Sequence, residues 1–61
     1  MTPAPAPLRP RLLVVEDERV TALSLRAHLE DLGYEVVGLA AAGPAAVELA
    51  DRLRPDLVLM D

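Results

Sequence analysis

The 61-residue chain has no cysteine, no lysine, no tryptophan and no phenylalanine, and it has only one histidine. Without cysteine it cannot form disulfides, and one histidine cannot complete a structural zinc site. The absence of cysteine fits a reducing cytoplasm. Because a single tyrosine is the only aromatic residue, the core must be built from leucine, valine and alanine.

The chain also lacks clustered basic residues and long apolar runs, and its formal net charge is -4. A nucleic-acid-binding surface would show clustered cations, so we expect no direct nucleic-acid binding by this segment. No apolar run approaches the ~20 residues that span a bilayer, and the proline-containing start does not resemble a signal peptide. We therefore expect a soluble cytoplasmic protein without a membrane contact.

Residues 1–10 are rich in proline and alanine. Proline fixes its own φ and lacks a backbone donor, so we expect a disordered N-terminal tail here. The folded domain is then expected over residues 11–61.

Within the folded part, the hydrophobic pattern alternates between strands and helices. The sequence predicts strands at residues 11–15, 34–39 and 57–60. The apolar run of residues 11–15 is continuous, which indicates burial on both faces, and the strand of residues 57–60 is also expected to be buried. Helical spacing predicts a helix over residues 19–32, ended by Gly33, and a second one that starts at Gly43-Pro44 and stops at Pro55. The predicted apolar stripes are Ala22, Leu25, Leu29 and Leu32 in the first helix, and Ala46, Leu49, Ala50 and Leu53 in the second. Strands alternating with helices predict an α/β fold with a parallel sheet.

Acidic residues follow the first and the third strand of this pattern. Glu16 and Asp17 come after residues 11–15, and Asp61 comes after residues 57–60. If the first strand lies between the other two, these carboxylates meet at the carboxyl edge of the sheet, where α/β proteins bind ligands. Repulsion between them would be relieved by a hard divalent cation such as Mg²⁺, which also bridges to phosphate oxygens. The alternative is that the first acids cap a helix and Asp61 is an ordinary turn residue.

Three segments together resemble a known family. They are Leu-Leu-Val-Val-Glu-Asp-Glu, Gly-Tyr-Glu-Val-Val-Gly and Pro-Asp-Leu-Val-Leu-Met-Asp. In this order and spacing they resemble the N-terminal half of a bacterial two-component response-regulator receiver domain. The resemblance implies a flavodoxin-like doubly wound parallel sheet with strand order 2-1-3-4-5, present here only as β1-α1-β2-α2-β3.

The resemblance also implies a role for each acid. Asp61 matches the phosphoacceptor, which takes a phosphoryl group from a phosphohistidine of a partner histidine kinase or phosphotransfer protein. Asp17 matches the residue that binds Mg²⁺ directly, and Glu16 matches its neighbour, so the implied metal ligands are Glu16, Asp17 and Asp61. The resemblance implies a phosphorelay signalling domain that contributes to its own phosphoryl transfer. We do not expect this domain to be an enzyme.

The chain departs from the family after Asp61. The switch Ser or Thr and the lysine of the family belong to the fourth and fifth strands, which are absent from these 61 residues. The expectation is therefore a receiver fragment that is not a competent switch, with an open sheet edge through which it could self-associate. Two alternatives remain: a nonfunctional structural fragment, and a fragment of a Mg²⁺-dependent phosphohydrolase or ATPase with an aspartate at a strand end. His28 lies on the polar side of the first helix and is expected to be exposed.

Overall fold

The computed structural model describes residues 9–60. Its elements, in chain order, are β1 (Arg11–Val15), α1 (Arg19–Asp31), β2 (Glu35–Ala40), α2 (Gly43–Leu53) and β3 (Leu57–Met60). This is the predicted alternation of strands and helices. Residues 1–8 and Asp61 lie outside the described residues, so the disordered tail remains a prediction.

The three strands form one parallel sheet in the order β2-β1-β3. Leu12 of β1 pairs with Val36 on one side and with Leu57 on the other. The central position explains why β1 is a continuous apolar run, since four of its five residues are buried. The order confirms that the first strand lies between the other two, and the arrangement is that of the flavodoxin-like fold.

The two helices pack on different faces of the sheet. On one face, Leu13 and Val15 form a core with Ala40 and with Ala46 of α2. Of the predicted α2 stripe, Leu49 and Ala50 pack against this core. On the other face, Leu12 lies beside Leu29 of α1 and beside Tyr34, where the three side chains line a shared apolar cavity.

The end of α1 is set by Gly33, which has a φ of +100°. The Gly33 N–H donates to the Glu30 carbonyl at 3.0 Å, and the Tyr34 N–H donates to the Leu29 carbonyl at 3.0 Å. These two bonds form a Schellman motif, which confirms the predicted glycine cap. The prediction that Leu32 belongs to the buried stripe is wrong. It follows the last residue of α1 and lies in the turn, so its side chain is 63% exposed.

β2 starts and ends one residue later than predicted, and it contains an irregularity. Leu12 pairs with Val36 but Leu13 pairs with Gly38, so Val37 is an extra residue in the ladder. A Cβ built on Gly38 would lie 3.0 Å from Leu53 Cδ1 and 3.2 Å from Leu13 Cδ1. The glycine that weakens the strand pattern therefore allows α2 to pack closely on the sheet.

β3 differs most from its prediction. It pairs with β1 alone in the described chain and all four of its residues are exposed, so the expectation of a buried strand is wrong. Its start is held by Asp56, whose Oδ2 accepts the Arg11 N–H at 2.7 Å and whose N–H donates to the Arg11 carbonyl at 2.8 Å. Arg54 is the residue after α2, with a φ of 51°.

Neither helix of the described residues is long and apolar enough to cross a membrane.

Candidate functional site

The carboxyl ends of the three strands lie side by side. Val15, the last residue of β1, pairs with Ala40 of β2 and with Met60 of β3. The two acids that follow β1 therefore leave the sheet at the edge where β3 also ends. This edge is where open α/β sheets bind ligands.

Glu16 is held in place by its backbone and by its side chain. Its N–H donates to the Ala40 carbonyl at 2.9 Å, which extends the ladder past β1. Its Oε1 accepts the Glu18 N–H at 3.1 Å. Glu16 is 8% exposed, and among the residues that the structure describes it is the only charged residue that is buried. A carboxylate this buried needs such partners, because burial of an uncompensated charge is costly.

Asp17 is exposed and lines a small pocket. The pocket has a volume of about 120 Å³. Its lining residues come from the ends of β1 and β2 and from the start of α1: Glu16, Asp17, Arg19, Ala22, Leu39, Ala40 and Ala41. Sequence reasoning found the two acids but not the wall from residues 39–41, because small apolar residues carry no chemical signal.

The alternative that these acids cap α1 holds in part, because Glu16 Oε1 accepts the N–H of the N-cap residue Glu18. Glu18 occupies the N-cap position of α1 but makes no capping hydrogen bond through its side chain, and the first turn contains no acid. Its Oε1 instead accepts the Thr21 hydroxyl at 2.8 Å. Glu16 and Asp17 both line the pocket.

Two carboxylates lining a pocket fit the donor chemistry of Mg²⁺, which prefers oxygen ligands and usually keeps several waters. A volume of about 120 Å³ accommodates an ion with part of its water shell, since each water takes ~30 Å³. Residues 9–60 hold no group of three or more potential metal-ligating side chains. Asp61 lies outside the described residues, so the site of Glu16, Asp17 and Asp61 stays a prediction.

His28 is exposed on α1, as expected. It is absent from the lining of the acidic pocket, so nothing in the described residues connects it with this site.

Comparison with known families agrees with this geometry. Residues 12–61 match the response regulator receiver domain. The chain belongs to this family. The match starts within β1 and includes both pocket acids and Asp61, so the receiver domain covers every element of the described fold. Membership assigns the chain to two-component signalling.

Curated relatives support the same assignment. The chain is 47% identical over 60 residues to the transcriptional regulatory protein PdtaR of Mycobacterium tuberculosis, covering 98% of this chain and 29% of that protein. It is 41% identical over 51 residues to the chemotaxis protein CheY of Thermotoga maritima, covering 84% of this chain and 42% of that protein.

A third relative is a protein-glutamate methylesterase/protein-glutamine glutaminase of Alkalilimnicola ehrlichii. It is 46% identical over 55 residues, which cover 88% of this chain and 14% of that protein. The chain therefore spans less than half the length of each of these three relatives.

Proposed function

We propose that this receiver domain accepts a phosphoryl group on Asp61 from a phosphohistidine of a histidine kinase or phosphotransfer protein. Glu16, Asp17 and Asp61 are the proposed Mg²⁺ ligands. The proposal describes a signalling domain rather than an enzyme, and it places the domain in the cytoplasm. The net charge of -4 supports a role without direct nucleic-acid contact by these residues.

One observation carries the proposal, namely the pairing of Val15 with Met60. Glu16 and Asp17 follow Val15 directly, and Asp61 follows Met60 directly. Because the paired residues are the last ones of β1 and β3, the ends of these two strands lie side by side, ~5 Å apart. The two pocket acids and the proposed acceptor would thus share one edge of the sheet.

The proposed reaction is a displacement at phosphorus. An oxygen of the Asp61 carboxylate forms the new P–O bond while the P–N bond to the partner's imidazole breaks, and the electron pair returns to nitrogen. The product is an acyl phosphate on Asp61. A carboxylate is a sufficient nucleophile, so the protein contributes mainly position and charge.

Glu16 and Asp17 would hold the metal beside that carboxylate. When bound, Mg²⁺ neutralises charge on the transferring phosphoryl oxygens. Glu16 is restrained by the Glu18 N–H, whereas Asp17 is exposed and free of a side-chain bond to the described residues. Asp17 is therefore the ligand that can adjust to the ion.

The test is phosphorylation of the 61-residue chain by acetyl phosphate with Mg²⁺. We expect intact-mass spectrometry to show the gain of one phosphoryl group, mapped to Asp61 by peptide analysis. Asp61→Asn should abolish the gain. Asp51→Asn is the matched control, because Asp51 is an exposed acid on α2, and it should be labelled as the wild type is. An unlabelled wild-type chain, or labelling that survives Asp61→Asn, would contradict the proposal.

A further inference from the structure

Asp56 and Arg11 join the start of β3 to the start of β1. The Asp56 Oδ2 accepts the Arg11 N–H at 2.7 Å, and the Asp56 N–H donates to the Arg11 carbonyl at 2.8 Å. One residue therefore bonds both the donor and the acceptor of the Arg11 backbone. The bond to the carboxylate is charge-assisted, and such bonds are shorter and stronger than bonds between neutral groups.

Arg11 also holds the other end of the connection between α2 and β3. Its Nη1 donates to the Arg54 carbonyl at 3.1 Å, and Arg54 has the left-handed φ of 51° that turns the chain at the end of α2. The connection consists of residues 54–56. A single residue of β1 is therefore bonded to the first and to the last residue of this connection, which fixes the path by which the chain enters β3.

The hydrophobic pattern of β3 does not by itself fix its register. Its four residues are all apolar, and they are between 40% and 66% exposed. A slip by one residue would exchange the side chains of the two faces. In β3 this exchange puts apolar side chains in place of apolar side chains at exposed positions, so it changes the buried apolar area little. Burial alone therefore does not select the observed pairing of Leu12 with Leu57 and of Val15 with Met60.

We propose that the contact between Asp56 and Arg11 selects the register of β3, and that Asp56 is a positioning residue for the carboxyl end of this strand. A slip by one residue moves Asp56 by ~3.3 Å along β1, which breaks the bond between its carboxylate and the Arg11 N–H. The same slip moves the end of β3 relative to Val15 and turns the residue after Met60 to the other face of the sheet.

The consequence for phosphoryl transfer rests on the proposed function. The acceptor follows Met60 directly, so it depends on the register of β3 for its place at the edge of the sheet. Transfer to a misplaced nucleophile is slow, because the reacting atoms are no longer aligned. Asp56 would thus act on the reaction from the opposite end of the strand.

The register can be measured directly, from nuclear Overhauser contacts between backbone protons of β1 and β3 in dilute solution. The wild-type chain should show one set, with Val15 beside Met60. In Asp56→Ala we expect the ratio of this register to the slipped one to fall about tenfold, the effect of one lost charge-assisted hydrogen bond. A second set of contacts should then appear. Asp56→Asn should keep the single set, because its amide oxygen can accept the same N–H.

A second variant and two controls complete the experiment. Arg11→Gln removes the side-chain bond to the Arg54 carbonyl and should produce the same second set at a lower population. Asp51→Ala removes an exposed acid of α2, and Gly38→Ala perturbs the packing on Leu53 and Leu13. Both controls should keep one set of contacts.

Labelling by acetyl phosphate then connects the register with the reaction. Asp56→Ala should be labelled more slowly, by the factor by which the observed register is depopulated, and Asp56→Asn should be labelled at the wild-type rate. A single set of contacts in both Asp56→Ala and Arg11→Gln, or a second set in Gly38→Ala as well, would overturn the role of Asp56 and leave the proposed function standing. An unlabelled wild-type chain would overturn the proposed function, while the contacts would still decide the register.

Discussion

At the residue scale, Glu16 and Asp17 are adjacent in sequence but differ in environment. Glu16 is buried and continues the ladder beyond β1, whereas Asp17 is exposed. The difference follows from the alternation of a strand that is just ending, since successive side chains leave it in opposite directions. One acid is therefore held by the fold, and the other can respond to a ligand.

Gly38 shows how one residue affects the packing of an element. Since a Cβ there would lie 3.0 Å from Leu53 Cδ1, Gly38→Ala should force the Leu53 side chain to shift by a few tenths of an ångström. We expect it to lower the free energy of unfolding by about 1–2 kcal/mol, the cost of modest overpacking. Urea denaturation followed by circular dichroism measures this.

Gly43→Ala is the control for that experiment. A Cβ on Gly43 meets no atom within 4 Å, and alanine is the better helix former. Its free energy of unfolding should be unchanged or slightly raised. Equal effects of the two substitutions would show that Gly38 is not needed for close packing.

At the element scale, β3 is the exposed edge of the sheet. It has four apolar residues, and it is flanked by apolar cavities of about 300 Å³ on each face. Val58 lines both cavities. A strand with an unpaired edge and no charge along residues 57–60 is a template for pairing with another strand.

We therefore expect the 61-residue chain to self-associate through β3, in a concentration-dependent manner visible by sedimentation velocity. Leu57→Lys should shift the equilibrium towards monomer, because Leu57 is 60% exposed on this edge and a lysine there opposes strand pairing. Val20→Lys is the control, since Val20 is 72% exposed but lies on α1. Association that persists in Leu57→Lys, or that is lost equally in Val20→Lys, would exclude the β3 edge as the contact.

At the scale of the whole molecule, the core is small. The fully buried large side chains of the described residues are Leu13 and Val14, and both belong to β1. A chain of this length buries only ~60% of the surface that its unfolded form exposes. Stability is therefore expected to be marginal and sensitive to any ligand that binds the folded state alone.

Mg²⁺ should accordingly stabilise the wild-type chain. At an ion concentration ten times the dissociation constant, linkage predicts a gain of about 1.4 kcal/mol. Thermal unfolding with and without Mg²⁺ measures this gain in stability. The buffer contains no Ca²⁺, so that Mg²⁺ is the only divalent cation compared. Asp17→Asn should lose the Mg²⁺-dependent part without losing metal-free stability, because Asp17 is exposed and makes no side-chain bond to the described residues.

Asp51→Asn serves as the control for charge, and it should keep the full Mg²⁺-dependent gain. An equal Mg²⁺ response in wild type and Asp17→Asn would remove Asp17 from the proposed ligands.

Much of the fold was predictable from sequence because the signals are local. The change from a continuous apolar run to helical spacing located β1 and α1. Gly33 marked the turn after α1, because glycine readily adopts the positive φ that this turn has. β2 was displaced by one residue. Leu32 was misassigned, since helical spacing continues past the point at which the Schellman hydrogen bonds end α1.

The sequence by itself determined the element order, the central apolar strand and the position of Glu16 and Asp17 directly after it. Asp61 remains a predicted acceptor. The tertiary structure decided which strand ends lie together, that β3 is an exposed edge and that Arg19 lines the acidic pocket. The physical reason is that hydrophobic periodicity reports how each segment is locally arranged, whereas pairing and exposure depend on which distant segments pack against it.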